Sequence, residues 1–233
     1  MKSAGTKGVS GESHGNQSPL LNLPNRLTIA RLILSLVFFV ILALESYGIF
    51  GAENRWIVLD VTMVLFILAV STDFLDGYLA RRWGLVSTFG RIADPLVDKI
   101  VICGGFVMLT GVAPSLVGPW FVVVILVREF LVSGLRSFLE SQRIAFAAAF
   151  SGKVKMVLQS IAVPTVLFVE AHFSAGSKSP DGLKDIPYLS EALYGVTVAL
   201  LAATLISAVV SCVGYVRRAV RLLKDVESTD SPP

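Results

Sequence analysis

Six long apolar segments dominate this sequence and limit the folds open to it. They cover about residues 27–49, 56–72, 95–112, 118–135, 154–169 and 188–216. A helix needs about 20 predominantly apolar residues to cross the hydrocarbon core, and hydrophobic residues make up 54% of the chain. Because backbone groups in lipid must be hydrogen-bonded within their own segment, we expect an all-α polytopic membrane protein with six transmembrane helices.

Polar segments flank the apolar region at both ends. Residues 1–18 are rich in Gly, Ser and Lys, and residues 226–233 are short and polar. This composition is typical of disordered tails. The sequence therefore predicts an N-terminal tail over 1–18, one six-helix domain over 19–225 and a C-terminal tail over 226–233. We expect no cleavable signal peptide, because no basic segment leads into an apolar core with a small-residue cleavage site.

Basic residues are distributed unevenly between the two faces that six spans would create. Of the 20 Lys and Arg residues, all but Arg55, Lys178 and Lys184 fall on or near one face. Cytoplasmic loops carry such an excess of positive charge. We therefore expect an integral protein of the cell inner membrane, or its equivalent, with both termini cytoplasmic. The distribution of basic residues says more about the partners of the protein than the net charge of +3 does. We expect membrane lipids rather than nucleic acid as partners.

Four carboxylates lie at the predicted cytoplasmic boundary of the second and third segments. Asp73 and Asp76 are three residues apart, and Asp94 and Asp98 are four apart. On helices these spacings place each pair on one face. Four carboxylates near lipid need a counter-charge, and ligand sets made only of oxygen favour Mg²⁺ or Mn²⁺. The pattern predicts one or two divalent cations at this membrane surface, and hence an active site at the cytoplasmic boundary.

The residues around these carboxylates fit a phosphorylated ligand. Gly77 and Gly90 would let a bulky group approach the backbone closely, and Arg81 could pair with a phosphate. Two metal ions held by carboxylates can bridge a pyrophosphate and stabilise charge during its displacement. We also expect Pro95 in the first turn of the third helix, with Asp94 as a possible N-cap. The alternative function of the carboxylates is a set of helix caps and structural ion pairs with Arg81, Arg82, Arg91 and Lys99. That alternative suits any single Asp better than all four together.

This pattern reads Asp-x-x-Asp-Gly-x-x-Ala-Arg, then eight residues, then Gly-x-x-x-Asp-x-x-x-Asp. It resembles the signature of the CDP-alcohol phosphatidyltransferase family. The resemblance implies a six-helix membrane fold, usually homodimeric, with two divalent ions and a CDP-linked lipid donor. The metal ligands that it implies are Asp73, Asp76, Asp94 and Asp98. Asp98 would also be the catalytic base that activates the acceptor hydroxyl. The residues that it places around the CDP moiety are Asp73, Gly77, Arg81 and Gly90.

A second group of basic residues lies where the fourth segment ends and the fifth begins. Its members are Arg128, Arg136, Lys153 and Lys155. Converging cations on the cytoplasmic side suit a phosphorylated acceptor. Positive-inside topology and contact with lipid head groups are the alternative, and that alternative stays open for Lys155. Glu129 is expected to support these basic residues, or to pair with Arg128 or a neighbouring helix.

Three stretches look like phosphatidylglycerophosphate synthases within this family. They are the opening Asn-Leu-Pro-Asn-Arg-Leu-Thr-Ile-Ala-Arg over 22–31, Arg-Glu-Phe-Leu-Val-Ser-Gly-Leu-Arg over 128–136, and residues 151–159. The reaction implied joins CDP-diacylglycerol and sn-glycerol 3-phosphate to give phosphatidylglycerophosphate and CMP. Asn25, Thr28 and Arg31 are three residues apart on one helix face. They would contact the pyrophosphate of the donor, with helix capping and snorkelling as the alternative.

Two other functions remain open from the sequence. The first keeps the chemistry but changes the acceptor to inositol phosphate or to phosphatidylglycerol. The second is a divalent-cation transporter that uses the same carboxylates. Transporter sites usually lie near the bilayer midplane, whereas these acidic residues cluster at one face, so the transferase is the better interpretation.

Overall fold

A computed structural model describes the backbone of residues 23–83, 88–142, 150–180 and 182–230, with side chains described over 28–72, 96–142, 152–180 and 182–224. The helices are α1 (Leu23–Ser46), α2 (Gly51–Trp83), α3 (Thr88–Val112), α4 (Pro119–Ser141), α5 (Phe150–Phe173) and α6 (Leu189–Asp230). A short 3₁₀ helix over Leu183–Asp185 lies in the α5–α6 connection. The described ranges contain no strand, which confirms the all-α prediction.

Four helices contain segments long and apolar enough to cross a membrane. Within the described residues these segments are Thr28–Ser46, Gly51–Thr72, Gly152–Phe173 and Leu189–Lys224. On α1, Leu36 and Val40 are exposed while Phe38 and Leu42 are fully buried. A helix that is apolar on both faces is suited to lipid on one side and protein on the other. A polytopic membrane protein is thus confirmed, while the count of six spans stays a prediction.

Aromatic side chains from three helices form the centre of the bundle. Phe38 of α1, Phe66 of α2 and Phe106 of α3 are fully buried, and the ring centroids of Phe38 and Phe66 are 5.5 Å apart. α1 packs on α2 and α3, α5 packs on α2 and α6, and α4 packs on α3 and α6. Arg31 of α1, Asp98 of α3 and Gly152 of α5 lie at one end of the bundle, which we call the Asp98 end.

Gly104 allows α1 and α3 to approach closely. A Cβ at this position would lie 2.5 Å from Cζ of Phe39, well inside van der Waals contact. A larger residue would therefore push the Phe39 ring away from α3. The close approach of these helices matters because each contributes one partner of the ion pair described below.

Both helices that carry the carboxylate motif extend beyond the apolar segments. α2 continues to Trp83, past the end of its apolar segment near residue 72, and α3 begins at Thr88, before the start of its apolar segment near residue 95. The prediction that Pro95 lies in the first turn of its helix is therefore wrong. A proline removes one backbone donor, and membrane helices tolerate that loss, as α5 does at Pro164. The motif accordingly lies within two helices rather than at their ends.

α6 is much longer than a membrane span. Its 42 residues correspond to about 63 Å at 1.5 Å per residue, about twice the thickness of a typical hydrocarbon core. It continues to Asp230, which lies inside the segment predicted as the C-terminal tail. The helix therefore extends beyond the bilayer on at least one side.

Arg55 of α2 contacts three other helices at the end of the bundle opposite Asp98. Its Nε lies 3.2 Å from Oε1 of Glu45 on α1, and its Nη2 lies 2.8 Å from Oε1 of Glu170 on α5. Nη2 also donates a hydrogen bond of 2.8 Å to the carbonyl oxygen of Val112 at the end of α3. Both glutamates are buried, so this one guanidinium is the counter-charge that the described contacts give them. We call this the Arg55 end.

His172 fastens the α5–α6 connection to the bundle. Its Nε2 lies 3.0 Å from Oδ1 of Asp60 on α2, and its Nδ1 lies 3.0 Å from Oγ of Ser179 in the connection. The imidazole is buried and bridges both partners. The hydrogen bond between Asp60 and His172 therefore has a structural role.

Replacing Arg55 by Met should lower the free energy of unfolding by about 3 kcal/mol, because Glu45 and Glu170 would stay buried without their cation. Thermal unfolding in detergent, followed by circular dichroism, measures this change. Lys178→Ala is the control, since it removes an exposed ion pair to Glu53 at 3.2 Å and should cost less than about 1 kcal/mol. Equal losses for the two variants would contradict the connecting role of Arg55.

Candidate active site

Asp98 is the carboxylate of the motif whose side chain the structure describes, and it is paired with Arg31. Nη1 of Arg31 donates a hydrogen bond of 2.8 Å to Oδ1 of Asp98. The side chain of Arg31 is 1% exposed and that of Asp98 is 25% exposed. The pair ties α1 to α3 and orients a carboxylate that ligands can still reach. Thr28, one turn before Arg31 on α1, is also buried.

Seven other residues predicted to bind metal or the donor lie outside the part of the chain whose side chains the structure describes. They are Asn25, Asp73, Asp76, Gly77, Arg81, Gly90 and Asp94. Among the side chains that are described, no group of three or more His, Cys, Asp or Glu could hold a metal ion. The metal ligands and the contacts to CDP therefore stay predictions. The backbone places the first carboxylate pair in α2 and the second in α3.

A buried cluster of charges joins α4 to α5 and α6. Nη1 of Arg128 donates a hydrogen bond of 3.1 Å to Oε1 of Glu129, and Nζ of Lys155 donates to the same oxygen. Nη2 of Arg128 donates to Oγ of Ser211 at 2.7 Å. The guanidinium carbon also lies 6.0 Å from the ring centroid of Tyr215, within the range of a cation–π contact. The prediction that Glu129 supports the neighbouring basic residues is confirmed.

This cluster carries more positive than negative charge. Arg128, Glu129 and Lys155 are each less than 10% exposed, and two cations share one carboxylate. Lys99 adds a third cation, whose Nζ donates a hydrogen bond of 2.6 Å to Oγ of Ser133. Unbalanced charge is costly to bury, and an anion that enters the cluster would remove that cost. Phosphate suits such a site because it accepts several charge-assisted hydrogen bonds.

A cavity of about 200 Å³ connects Asp98 to the charged cluster. Its wall consists of Asp98, Lys99, Ile102, Cys103, Glu129, Gly152, Lys155, Met156 and Gln159. A second, much smaller cavity beside it is lined by Arg31 and Asp98. The volume lies below the range of about 300 Å³ upward that is typical for drug-sized ligands, so it suits a small polar molecule. A larger cavity of about 580 Å³ adjoins Arg55, but it lies at the opposite end of the bundle from the motif.

Of the four basic residues predicted to bind the acceptor, the structure brings two together. Arg128 and Lys155 meet at Glu129, whereas Arg136 is half-buried and Lys153 is exposed. Arg136 follows Arg128 by eight residues, or about 12 Å along the helix axis. Among the described residues, the cavity wall includes Lys155 but not Arg128, Arg136 or Lys153, so the contact of these three with an acceptor stays a prediction.

Sequence reasoning missed three polar residues near this cavity. Lys99 directly follows Asp98, and Ser133 was seen only as part of the 128–136 block. Gln159 follows Lys155 by four residues, and that spacing places both on one face of α5. Helical periodicity could therefore have identified Gln159, but nothing in the sequence showed which face of α5 meets the cavity.

Known proteins with similar sequences identify the family of this chain. Residues 21–213 match the model of the CDP-alcohol phosphatidyltransferase family. A CDP-diacylglycerol–glycerol-3-phosphate 3-phosphatidyltransferase of Bacillus subtilis is 40% identical over 151 residues, which cover 64% of this chain and 77% of that protein. The enzyme of the same name from Rickettsia felis is 39% identical over 146 residues, which cover 63% of this chain and 75% of that protein.

A longer match extends over nearly the whole chain. A probable phosphatidylglycerophosphate synthase of Mycobacterium tuberculosis is 32% identical over 215 residues, which cover 91% of this chain and 88% of that protein. The family match includes the carboxylate motif, Arg31 and every residue of the cavity wall. On these grounds the chain belongs to the CDP-alcohol phosphatidyltransferase family.

Proposed function

We propose that this protein transfers the phosphatidyl group of CDP-diacylglycerol to sn-glycerol 3-phosphate, giving phosphatidylglycerophosphate and CMP. The observation that carries the proposal is the buried, positively charged cluster of Arg128, Glu129 and Lys155. Glu129 and Lys155 of this cluster line a cavity together with Asp98. Such a cavity pairs a phosphate site with a carboxylate able to accept a proton. The names of the relatives specify the same donor and acceptor.

The acceptor phosphate is held by Arg128 and Lys155. Glu129 keeps both cations in place before the ligand arrives, so little rearrangement is needed for binding. Arg136 and Lys153, nearer the ends of their helices, attract the anion from the aqueous side. In this arrangement the free primary hydroxyl of the acceptor lies at the Asp98 side of the cavity.

The donor lies against the first part of α1 and the carboxylate motif. Two divalent ions, Mg²⁺ or Mn²⁺, fit the donor set of Asp73, Asp76, Asp94 and Asp98, because these hard cations prefer oxygen ligands. When bound, they supply neutralisation of the pyrophosphate charge. The residues that we propose for binding CDP-diacylglycerol are Asn25, Thr28, Arg31, Asp73, Gly77, Arg81 and Gly90.

Asp98 acts as the base. It accepts the proton of the primary hydroxyl of glycerol phosphate, and that oxygen forms a bond to the β-phosphorus of the donor. The bond from the β-phosphorus to the oxygen of the CMP phosphate breaks, and CMP leaves with the electron pair. Arg31 positions the carboxylate through its hydrogen bond to Oδ1.

The site and both chain termini face the cytoplasm in this proposal. The charge distribution supports this orientation, because only Arg55, Lys178 and Lys184 fall on the predicted outer face. Cytoplasmic faces carry the excess of basic residues. The structure is consistent with this division, because Arg55 and Lys178 lie at the Arg55 end. A homodimer in the membrane is part of the proposal and rests on the family resemblance alone.

The reaction is tested by measuring CMP release from CDP-diacylglycerol by the purified protein. Release should require both sn-glycerol 3-phosphate and Mg²⁺ or Mn²⁺, and EDTA should abolish it until metal is restored. Release only with inositol phosphate or phosphatidylglycerol would change the acceptor. Uptake of metal into proteoliposomes without CMP release would support a transporter, and full activity after exhaustive chelation would overturn the metal proposal.

Asp98→Asn should lower the turnover number by about 10²- to 10⁴-fold, the usual contribution of a general base. The amide oxygen of Asn can still accept the hydrogen bond from Arg31, so the protein should fold, but it should melt at a lower temperature because the buried guanidinium loses its counter-charge. Asp185→Asn is the matched control, since Asp185 is exposed in the α5–α6 connection. Wild-type turnover in Asp98→Asn would exclude Asp98 as the base.

Lys155→Met should raise the KM for glycerol 3-phosphate by about 10- to 100-fold, the equivalent of one charge-assisted hydrogen bond. The KM for CDP-diacylglycerol should stay within about threefold, because Lys155 belongs to the acceptor cluster. Steady-state kinetics in mixed micelles measures both constants. Lys178→Met, at the Arg55 end, should change neither. A similar rise of both constants in Lys155→Met would contradict the acceptor assignment.

A further inference from the structure

The side-chain amide of Gln159 is buried in the wall of the Asp98 cavity. Gln159 is 1% exposed and lies on the cavity wall with Asp98, Lys99 and Lys155. Its Nε2 has no hydrogen-bond partner among the residues that the structure describes. Leaving a buried donor unpaired costs about 1–3 kcal/mol, and such groups in folded proteins call for an explanation. A donor at the wall of a cavity that also carries charged side chains is explained by a ligand that accepts its hydrogen bond.

We propose that Gln159 determines acceptor specificity by donating a hydrogen bond to the secondary hydroxyl of glycerol 3-phosphate. This inference rests on the proposed function. It identifies Gln159 as the residue that recognises the secondary hydroxyl, which takes no part in the reaction. Lys155 binds the phosphate at one end of the acceptor, and Asp98 receives the proton at the other. The middle hydroxyl lies between them, where Gln159 contributes to the wall.

The neighbouring polar side chains are already engaged. Oγ of Ser160 donates to the carbonyl oxygen of Met156 at 2.9 Å. Oγ of Ser133 donates to the carbonyl oxygen of Glu129 at 2.7 Å and accepts from Lys99. Gln159 is therefore the amide donor of the described cavity wall that is available to a hydroxyl group, and the free thiol of Cys103 on the same wall is a much weaker donor.

The helix position of Gln159 agrees with this role. It lies one turn after Lys155 on the same face of α5, about 6 Å further along the axis. α5 runs from the Asp98 end towards the Arg55 end, so Gln159 lies deeper in the bundle than the cation. A ligand whose phosphate contacts Lys155 can therefore extend from that phosphate towards the amide.

Such a contact has a large effect on selectivity. A site that forms a hydrogen bond to a substrate hydroxyl strongly disfavours an analogue lacking it, because the buried partner is then left unpaired. We expect the wild-type protein to prefer glycerol 3-phosphate over 3-hydroxypropyl phosphate, which lacks only the secondary hydroxyl, by about 10- to 100-fold in kcat/KM.

The test compares both acceptors in wild type, Gln159→Met and Gln159→Asn. Met keeps the length of the side chain without the donor, and Asn keeps the amide but shortens it by one methylene. Both variants should lower the preference for glycerol 3-phosphate to less than about threefold, mainly by losing activity with that acceptor. Thr165→Val is the control on the same helix, because its hydroxyl donates to the carbonyl oxygen of Ile161, and it should keep the wild-type preference.

The ratio between acceptors separates recognition from packing. If Gln159 only supports the fold, both variants will lose activity with the two acceptors equally and the ratio will stay at its wild-type value, which would overturn the inference. A wild-type protein that does not distinguish the two acceptors would overturn it as well. Failure of the proposed function looks different, since wild type would then release no CMP with either acceptor, and both proposals would fall.

Discussion

The ion pair between Arg31 and Asp98 is the contact on which the proposed chemistry depends. Arg31 is almost fully buried, so its guanidinium needs a counter-charge, and Asp98 provides it across the α1–α3 interface. Losing either partner would remove a charged contact that is buried on the Arg31 side, which is destabilising. The same carboxylate remains partly accessible. One contact therefore sets both the distance between two helices and the direction of the catalytic group.

The two ends of the bundle bury charge with opposite balances. At the Arg55 end, one guanidinium lies between Glu45 and Glu170, so negative charge is in excess. At the Asp98 end, Arg128 and Lys155 share Glu129, and Lys99 lies beside them. Both arrangements hold helices together, but only the second can gain from an incoming phosphate. The sign of the excess charge, more than the size of the neighbouring cavity, therefore distinguishes a binding site from a structural junction.

The sequence predicted the structure best where a pattern of residues has a single physical explanation. Apolar segments indicated membrane helices because few other structures hide so much apolar surface, and the structure confirms a helical membrane protein. The carboxylate spacing directed attention to Asp98, and the uneven basic residues indicated Arg128 and Lys155. The ends of the apolar segments do not mark the ends of the helices, because apolar character stops at the lipid boundary, whereas helical hydrogen bonding in α2 and α3 continues beyond it. The contacts of Arg55 and Gln159 could not be predicted either, since both depend on which helix faces meet.

The burial of the Arg128–Glu129–Lys155 cluster has a consequence for how its ligands enter. Mobile salt ions screen exposed charges over about 8–10 Å at physiological ionic strength, but buried charges are screened much less. These three side chains are each less than 10% exposed, so dissolved salt weakens their attraction for a phosphate only slightly. An entering anion must instead lose most of its own water. Dehydration of the ligand, more than competition with other ions, therefore opposes entry.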